Sequence, residues 1–161
     1  MKLWIAIKMV IKKGYLSLHC GCKVNQYETN AMIQKFKEAG YEIVNINDDI
    51  SDICIVNTCT VTNMSDRKSR QALRKVKEKN YNAIIVAVGC YAQVAKEELE
   101  KMPEIDVVLG NEEKKDVVKY VENFINGNNK VVEIEDIATQ KEFKDMGQIT
   151  YTEKTRAVIK V

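Results

Sequence analysis

The sequence predicts a doubly wound parallel α/β sheet in three layers, with helices on both faces of the sheet. Short apolar runs typical of strands alternate with longer segments typical of amphipathic helices through most of the chain. The chain has 161 residues, 45% of them apolar and 30% charged, which is enough for one domain with a buried core. Right-handed crossovers between successive strands then favour the doubly wound arrangement.

The elements follow one another in a regular order. Strands are predicted at 15–19, 41–46, 53–57, 83–88, 107–109 and 130–134, and helices at about 26–39, 65–78, 93–101 and 114–125. Gly40 stands where the C-cap glycine of the first helix belongs, and Gly127 ends the last helix. Pro103, the single proline, breaks the segment of the third helix.

Three cysteines lie just beyond the ends of separate predicted strands. Cys22 follows the first strand, Cys59 the third and Cys90 the fourth. The loops after the strands of a parallel sheet open on one edge, where such folds bind ligands. In the flavodoxin-like strand order 2-1-3-4-5, strands one, three and four are neighbours. A flavodoxin-like or Rossmann-like sheet would therefore bring these three thiols together.

A convergence of thiols predicts a metal or iron–sulfur site. Each of the three cysteines precedes a predicted helix, whose N-terminal N–H groups favour a thiolate over a thiol. Lys23 adds positive charge beside Cys22. The alternative is that all three are buried structural cysteines, because free cysteine is among the most buried residue types. The sequence has no Cys-x-x-Cys pair, which argues against zinc-ribbon and thioredoxin-like sites.

Three further residues could take part in such a site. Cys54 lies inside the third strand and is predicted to belong to the core. Cys20 shares a side of the extended chain with Cys22 and is predicted to be a bystander. His19 is the single histidine; it is either structural or the fourth ligand of a zinc site with three thiolates.

The composition indicates the cellular compartment of the protein more clearly than it indicates a binding partner. Five cysteines, an odd number widely spaced, argue against a secreted disulfide scaffold and for a reducing compartment, so the cytoplasm is expected. The net charge of +2 does not by itself indicate nucleic acid. Within the segment 66–77, however, the cations are predicted to face outward from a helix. Such a run is usually a solvated face, and it is also a surface that could carry RNA phosphates.

Three segments are predicted along the chain. Residues 1–14 are a leader or extension; a signal peptide or membrane anchor is rejected because Lys8 interrupts a short apolar run. Residues 15–135 form the α/β domain. From 136 to 161 the pattern turns polar and ends in a strand-like run at 156–161, which is either the truncated start of another domain or an edge strand of the same sheet.

Short motifs around the three cysteines resemble those of a known family. Residues 21–29 (GCKVNQYET), 57–62 (NTCTVT) and 89–93 (GCYAQ) resemble, in order, three signature motifs of the radical S-adenosylmethionine methylthiotransferases. The basic stretch 67–71 (RKSRQ) is also similar. The resemblance covers about residues 15–134. The first motif most resembles the branch acting on N6-threonylcarbamoyladenosine next to the anticodon of tRNA.

This resemblance implies ligands, cofactors and partners. Cys22, Cys59 and Cys90 would ligate an auxiliary [4Fe–4S] cluster with one iron left open for the sulfur that is transferred. A full-length parent would carry a second [4Fe–4S] cluster and S-adenosylmethionine, and its partners would be tRNA and a sulfur donor.

The sequence departs from the family pattern in two ways, which limit what can be inferred about the activity of this chain. The Cys-x-x-x-Cys-x-x-Cys motif of the radical-generating domain is absent from this sequence. The chain is therefore expected to be an N-terminal fragment that is inactive without the radical domain and the RNA-binding domain. The second departure is Cys20, where the family usually has an apolar or aromatic residue.

Two other interpretations remain for the same residues. One is a cysteine-ligated zinc or redox-sensing α/β binding module without a role in sulfur transfer. The other is a purely structural flavodoxin-like domain, whose phosphate loop after the first strand should be rich in Ser, Thr and Gly. The residues 22–25 (CKVN) found there argue against flavin.

Overall fold

A parallel β-sheet with helices on both faces makes up the computed structural model, which describes residues 13–18, 23–44, 51–59, 63–79, 81–127 and 129–135. The described strands are β1 (Lys13–Leu18), β2 (Glu42–Val44), β3 (Ile53–Thr58), β4 (Ile84–Gly89), β5 (Val107–Leu109) and β6 (Val131–Glu133). The helices are α1 (Lys23–Glu38), α2 (Asn63–Lys79), α3 (Cys90–Val94), α4 (Lys96–Lys101) and α5 (Val117–Gly127), with a 3-10 turn at Glu113–Asp116.

The strand order of this sheet is β2-β1-β3-β4-β5-β6, and every neighbouring pair is parallel. The predicted flavodoxin-like order is confirmed, with β6 added beyond β5. The three-layer α/β/α architecture is confirmed as well. Since all these strands run the same way, their carboxyl ends lie along one edge of the sheet.

Two apolar layers cover the two faces of the sheet. Alternate residues of β3 separate them: Ile53 and Ile55 point to one layer, and Cys54 and Val56 to the other. The first layer is completed by buried side chains of α1 and α5, including Met32, Phe36, Val117 and Val121. The second is completed by α2, α3 and α4, including Leu73, Val76, Tyr91 and Leu99.

The end of α1 shows why a glycine occupies position 40. Gly40 has a φ of 83°, a backbone conformation that side chains disfavour. Its N–H bonds to the Lys37 carbonyl at 3.0 Å, and the Tyr41 N–H bonds to the Phe36 carbonyl at 2.9 Å. This is the Schellman pattern, and the Phe36 and Tyr41 rings complete it with an edge-on contact at 5.1 Å between centroids. The predicted C-cap is confirmed.

Several element boundaries differ from the predicted ones. β1 begins at Lys13 and α1 at Lys23, each earlier than predicted, while the predicted third helix is two short helices, α3 and α4. The chain bends at Ala95, which has φ −107° and ψ 31°. Tyr91 before the bend and Leu99 after it are both buried in the same apolar layer.

A lysine secures the approach to β6. The Lys130 ammonium donates to the carbonyls of Leu99, Glu100 and Met102, at 3.1, 2.6 and 2.8 Å. These carbonyls belong to the end of α4, where helices lack intrahelical partners and favour cations. Burial lowers the pKa of Lys130, an effect that Asp106 and other nearby carboxylates oppose.

Some predictions concern residues outside the described ranges. The leader at 1–12, the loop from His19 to Cys22 and the strand-like run at 156–161 are among them. No helix in the described part of the chain is long and apolar enough to cross a membrane.

Candidate metal centre at the carboxyl edge of the sheet

Two of the three predicted ligands leave the sheet side by side. Thr58 and Gly89 are register partners at the ends of β3 and β4, and Cys59 and Cys90 are the next residues along each chain segment. Cys59 is 3% exposed, and Cys90, the first residue of α3, is half-buried. Neither forms a disulfide. The sheet therefore delivers both thiols to one edge, as the sequence predicted.

The third predicted ligand, Cys22, lies outside the described residues. Its surroundings are partly described: α1 begins at Lys23, directly after it, and β1 pairs with β3 through Leu18 and Asn57. The approach of Cys22 to the other two cysteines thus stays a prediction. Within the described ranges, no group of three or more His, Cys, Asp or Glu residues is placed to hold a metal ion.

Gly89 keeps the space between the two strand ends clear. Its φ of 98° lies in the region that favours glycine. A Cβ atom built on it would come within 2.5 Å of the Thr58 carbonyl oxygen and 2.6 Å of Asn57 Oδ1. No side chain larger than hydrogen fits there, so the glycine before Cys90 is a steric requirement of the chain's turn from β4 into α3.

Asn57 and Thr58 tie this edge to α1. The Asn57 side-chain amide donates to the Asn25 carbonyl at 3.1 Å and to Thr29 Oγ1 at 3.0 Å. Thr58 Oγ1 donates to the Val88 carbonyl at 2.6 Å and accepts the Ala92 N–H at 3.2 Å. Asn57 and Thr58 therefore have a structural role, because their side chains hold the amino end of α1 and the start of α3 against β3.

A line of polar side chains leads away from Cys90. Both side-chain atoms of Asn111, Oδ1 and Nδ2, lie 3.9 Å from Cys90 Sγ. Asn111 Oδ1 also accepts a 3.0 Å hydrogen bond from Lys114 Nζ. Lys114 in turn forms a 2.5 Å ion pair with Glu28 of α1. Sequence reasoning missed all three residues, since none stands in a recognisable metal-binding pattern.

Gln93, from the motif that contains Cys90, fixes Asn111 from its other side. Its Oε1 accepts the Asn111 backbone N–H at 3.0 Å, and its Nε2 donates to the Glu135 carbonyl at 2.9 Å. The side chain thereby links the ends of β5 and β6 to α3. A Cβ on Gly110 would collide with Gln93 Oε1, so this glycine leaves room for the bridge.

Tyr91 connects the candidate centre to the basic helix. Its hydroxyl donates to Glu98 Oε2 at 2.8 Å and accepts from Arg70 at 3.1 Å. Burial, followed by the hydrogen bond to Glu98, raises the pKa of Tyr91. Arg70 also pairs with Glu98 at 3.2 Å, so its charge is engaged within the domain.

Of the remaining cations of α2, Lys77 is half-buried and donates to the Ala83 carbonyl at 3.1 Å, and the others face outward as predicted. Ser69, Ala72, Leu73 and Val76 are the buried residues of this helix. Arg67, Lys68, Arg74 and Lys75 are exposed. Helical spacing places these four on one face, which we call the basic face of α2.

Cys54 is a core residue, as predicted. It is 2% exposed within the second apolar layer, and its Sγ lies 3.0 Å from Ser51 Oγ. Burial raises the pKa of the Cys54 thiol, while Ser51 and Lys77 act in the opposite direction. Cys20 and His19 lie outside the described residues, so their predicted roles stay predictions.

The donor chemistry at this edge fits a soft metal centre. Cys59 and Cys90 offer thiol sulfur, which both iron–sulfur clusters and zinc accept. Beside them, the buried Asn57 Oδ1 has no hydrogen-bond partner among the described residues. The described part of the edge is thus compatible with a thiolate-held cluster.

Comparison with known proteins places this chain in a family. Residues 15–110 match the model of "Uncharacterized protein family UPF0004". The chain is 41% identical over 141 residues to a threonylcarbamoyladenosine tRNA methylthiotransferase of Aquifex aeolicus, covering 88% of this chain and 34% of that protein. It is 36% identical to the Bacillus subtilis protein of that name, covering 88% and 31%. A ribosomal protein uS12 methylthiotransferase of Caldicellulosiruptor saccharolyticus is 29% identical over 155 residues, covering 94% and 34%.

These matches identify the family to which the chain belongs. The chain belongs to the family UPF0004, whose matched relatives are methylthiotransferases, and it is the N-terminal domain of a protein of that family. It resembles threonylcarbamoyladenosine tRNA methylthiotransferases over 88% of its length and spans about a third of the length of these relatives.

Proposed function

We propose that Cys22, Cys59 and Cys90 hold an auxiliary [4Fe–4S] cluster in a tRNA methylthiotransferase that modifies N6-threonylcarbamoyladenosine next to the anticodon. The observation that carries this proposal is the placement of Cys59 and Cys90 directly after two register partners on adjacent strands. The substrate is inferred from two threonylcarbamoyladenosine tRNA methylthiotransferases that are 41% and 36% identical to this chain.

The described side chains have distinct tasks in this proposal. When bound, such a cluster supplies an open iron site for the sulfur that is transferred. Gly89 lets the ends of β3 and β4 approach closely just before Cys59 and Cys90. Asn57 holds the start of α1, hence the chain directly after Cys22, against β3. Thr58 fixes the start of α3, and with it the backbone of Cys90.

The whole reaction needs parts beyond the described domain. We place the leader or extension at 1–14, whose last two residues, Lys13 and Gly14, already pair with β2 as part of β1. The N-terminal domain follows at 15–135, and a linker with the first strand of a radical S-adenosylmethionine domain at 136–161. That domain would carry a second [4Fe–4S] cluster and S-adenosylmethionine, and a sulfur donor would supply the open iron. The chain alone is then inactive in methylthiolation. Because its substrate is tRNA, we assign the protein to the cytoplasm.

The basic face of α2 supports RNA as the partner. The four cations of this face lie on a helix that begins at Asn63, shortly after Cys59 at the same sheet edge. Cations so placed can neutralise phosphates without reading sequence, which leaves recognition of the base to other parts of the protein.

Anaerobic reconstitution with iron and sulfide tests the cluster assignment. We expect a brown protein with about four irons per chain, whose charge-transfer absorption is lost in Cys22→Ala, Cys59→Ala and Cys90→Ala. The matched controls Cys20→Ala and Cys54→Ala should keep both iron and colour.

Two outcomes contradict the proposal. A colourless protein that binds zinc would instead indicate a cysteine-ligated binding module. If the protein binds iron but its absorption is unchanged in all three variants, the iron is held by other residues of the chain.

A further inference from the structure

A buried ion pair lies beside the candidate centre. Lys114 is 2% exposed and Glu28 is 6% exposed, although they lie 86 residues apart in sequence. Removing two charges from water is costly, and a buried pair is often no more stabilising than apolar side chains of similar volume. Stability alone is therefore a weak reason for this pair, and its position next to Asn111 suggests a second role.

Asn111 can respond to the ionisation state of Cys90. As a thiol, Cys90 can donate to Asn111 Oδ1; as a thiolate that ligates a metal, it can only accept, from Asn111 Nδ2. In the structure both atoms lie 3.9 Å from the sulfur, but Lys114 donates to Oδ1 at 3.0 Å, which leaves Nδ2 as the atom free to turn towards a sulfur that only accepts. Gln93 holds the Asn111 backbone, so the amide needs no larger movement to make this contact.

We propose that Asn111 is a positioning residue that donates an N–H···S hydrogen bond to Cys90 in the cluster-bound protein, with Lys114 and Glu28 holding its amide in that orientation. This inference rests on the proposed function, because it needs an iron–sulfur cluster on Cys90. A hydrogen bond to ligating sulfur stabilises the reduced, more negative cluster, whereas the Lys114–Glu28 pair adds no net charge. The Asn111 donor thereby raises the reduction potential, and the ion pair acts by orienting it.

The decisive variant is Asn111→Asp. The carboxylate has nearly the same shape and still accepts from Lys114, but it cannot donate to sulfur and adds negative charge near Cys90. We expect the reconstituted Asn111→Asp protein to retain iron and to show a reduction potential more negative than that of the native chain. The potential would be measured by a redox titration followed by electron paramagnetic resonance.

A second variant removes the ion pair without leaving one charge buried. In Glu28→Gln combined with Lys114→Met, Asn111 remains but its orientation is no longer enforced. We expect a smaller shift of the potential in the same direction. Lys119→Met, at an exposed position of α5, makes the same lysine substitution away from Asn111 and should leave the potential unchanged.

The outcomes separate this inference from the proposed function. Equal potentials in the native chain, Asn111→Asp and the double variant would overturn it, even if thermal unfolding showed the variants to be less stable. If Asn111→Asp does not fold or load iron, the double variant decides. If the native chain binds no cluster, the proposed function fails and the inference fails with it.

Discussion

The side-chain amide of Asn57 donates a 3.0 Å hydrogen bond to Thr29 Oγ1, joining the end of β3 to α1. Both residues are 1% exposed or less, so neither group has water as an alternative partner. This contact unites two of the three cysteine motifs. It gives a structural reason for an asparagine two residues before Cys59 and a threonine seven residues after Cys22.

The first prediction concerns this contact. Asn57→Ala leaves the Asn25 carbonyl and Thr29 with fewer partners in a buried site, so we expect it to lower the free energy of unfolding by about 1–3 kcal/mol. Thr29→Val, a nearly isosteric change, should cost less. Urea unfolding of both variants and of the double variant measures their coupling. Losses that add to within about 0.5 kcal/mol would contradict a direct interaction.

The second prediction concerns Gly89. Gly89→Ala forces a side chain into a positive φ and against the Thr58 carbonyl, so we expect a loss of about 1–3 kcal/mol of stability. Thermal unfolding of the chain measures it. Gly127→Ala is the control, because a Cβ there meets no atom within 4 Å and Gly127 ends a helix. Equal effects of the two substitutions would show that the close approach at Gly89 is not a constraint.

The third prediction follows from the raised pKa of Cys54. In the unfolded chain this thiol titrates near 9.0, whereas burial keeps it protonated to higher pH in the folded protein. Its contribution to stability is therefore complete below pH 9.0 and lost as pH rises through the folded pKa. Relative to Cys54→Ala, the native chain should lose up to about 1.4 kcal/mol per pH unit in that window. Urea unfolding at several pH values checks this; parallel pH profiles of the two proteins would contradict it.

The fourth prediction concerns the basic face of α2. Replacing Arg67, Lys68, Arg74 and Lys75 with glutamine should weaken the binding of an anticodon stem–loop RNA and reduce the salt dependence of binding. The slope of the logarithm of affinity against that of salt should fall by about 1 for each cation that contacts a phosphate. Fluorescence anisotropy at several salt concentrations measures both quantities.

The control for this surface is a matched pair on the opposite layer. Lys37→Gln and Lys119→Gln remove exposed lysines from α1 and α5. They should change the salt slope less than the α2 substitutions do. If both sets have the same effect, RNA is attracted by the overall charge of the domain and α2 is not its contact surface.

Local signals and strand order were predictable from the sequence because each depends on few residues. Gly40 could be assigned as a C-cap from its position alone, and the place of Cys54 in the core followed from the apolar strand around it. The alternation of strands and helices was enough to predict that Cys59 and Cys90 leave adjacent strands. For Cys22, whose loop lies outside the described ranges, the same reasoning stays a prediction.

Contacts between distant side chains could not be predicted in this way. The approach of Lys114 to Glu28 depends on how α1 packs beside the 3-10 turn, which no local pattern specifies. The bend at Ala95 was also missed, because alanine is the residue that most favours a continuous helix. The structure shows the bend in the backbone of Ala95, and no local pattern around it explains the bend.

Lys130 stands directly before β6, the strand at the end of the described sheet. The valines of β6 are half-buried. The Lys130 ammonium donates hydrogen bonds to three carbonyl oxygens at the end of α4. β6 lies at the end of the described strand order and pairs there with β5, so it should open locally before the central strands do. Its amides would then exchange with deuterium as one early group, together with the release of the three carbonyls from Lys130.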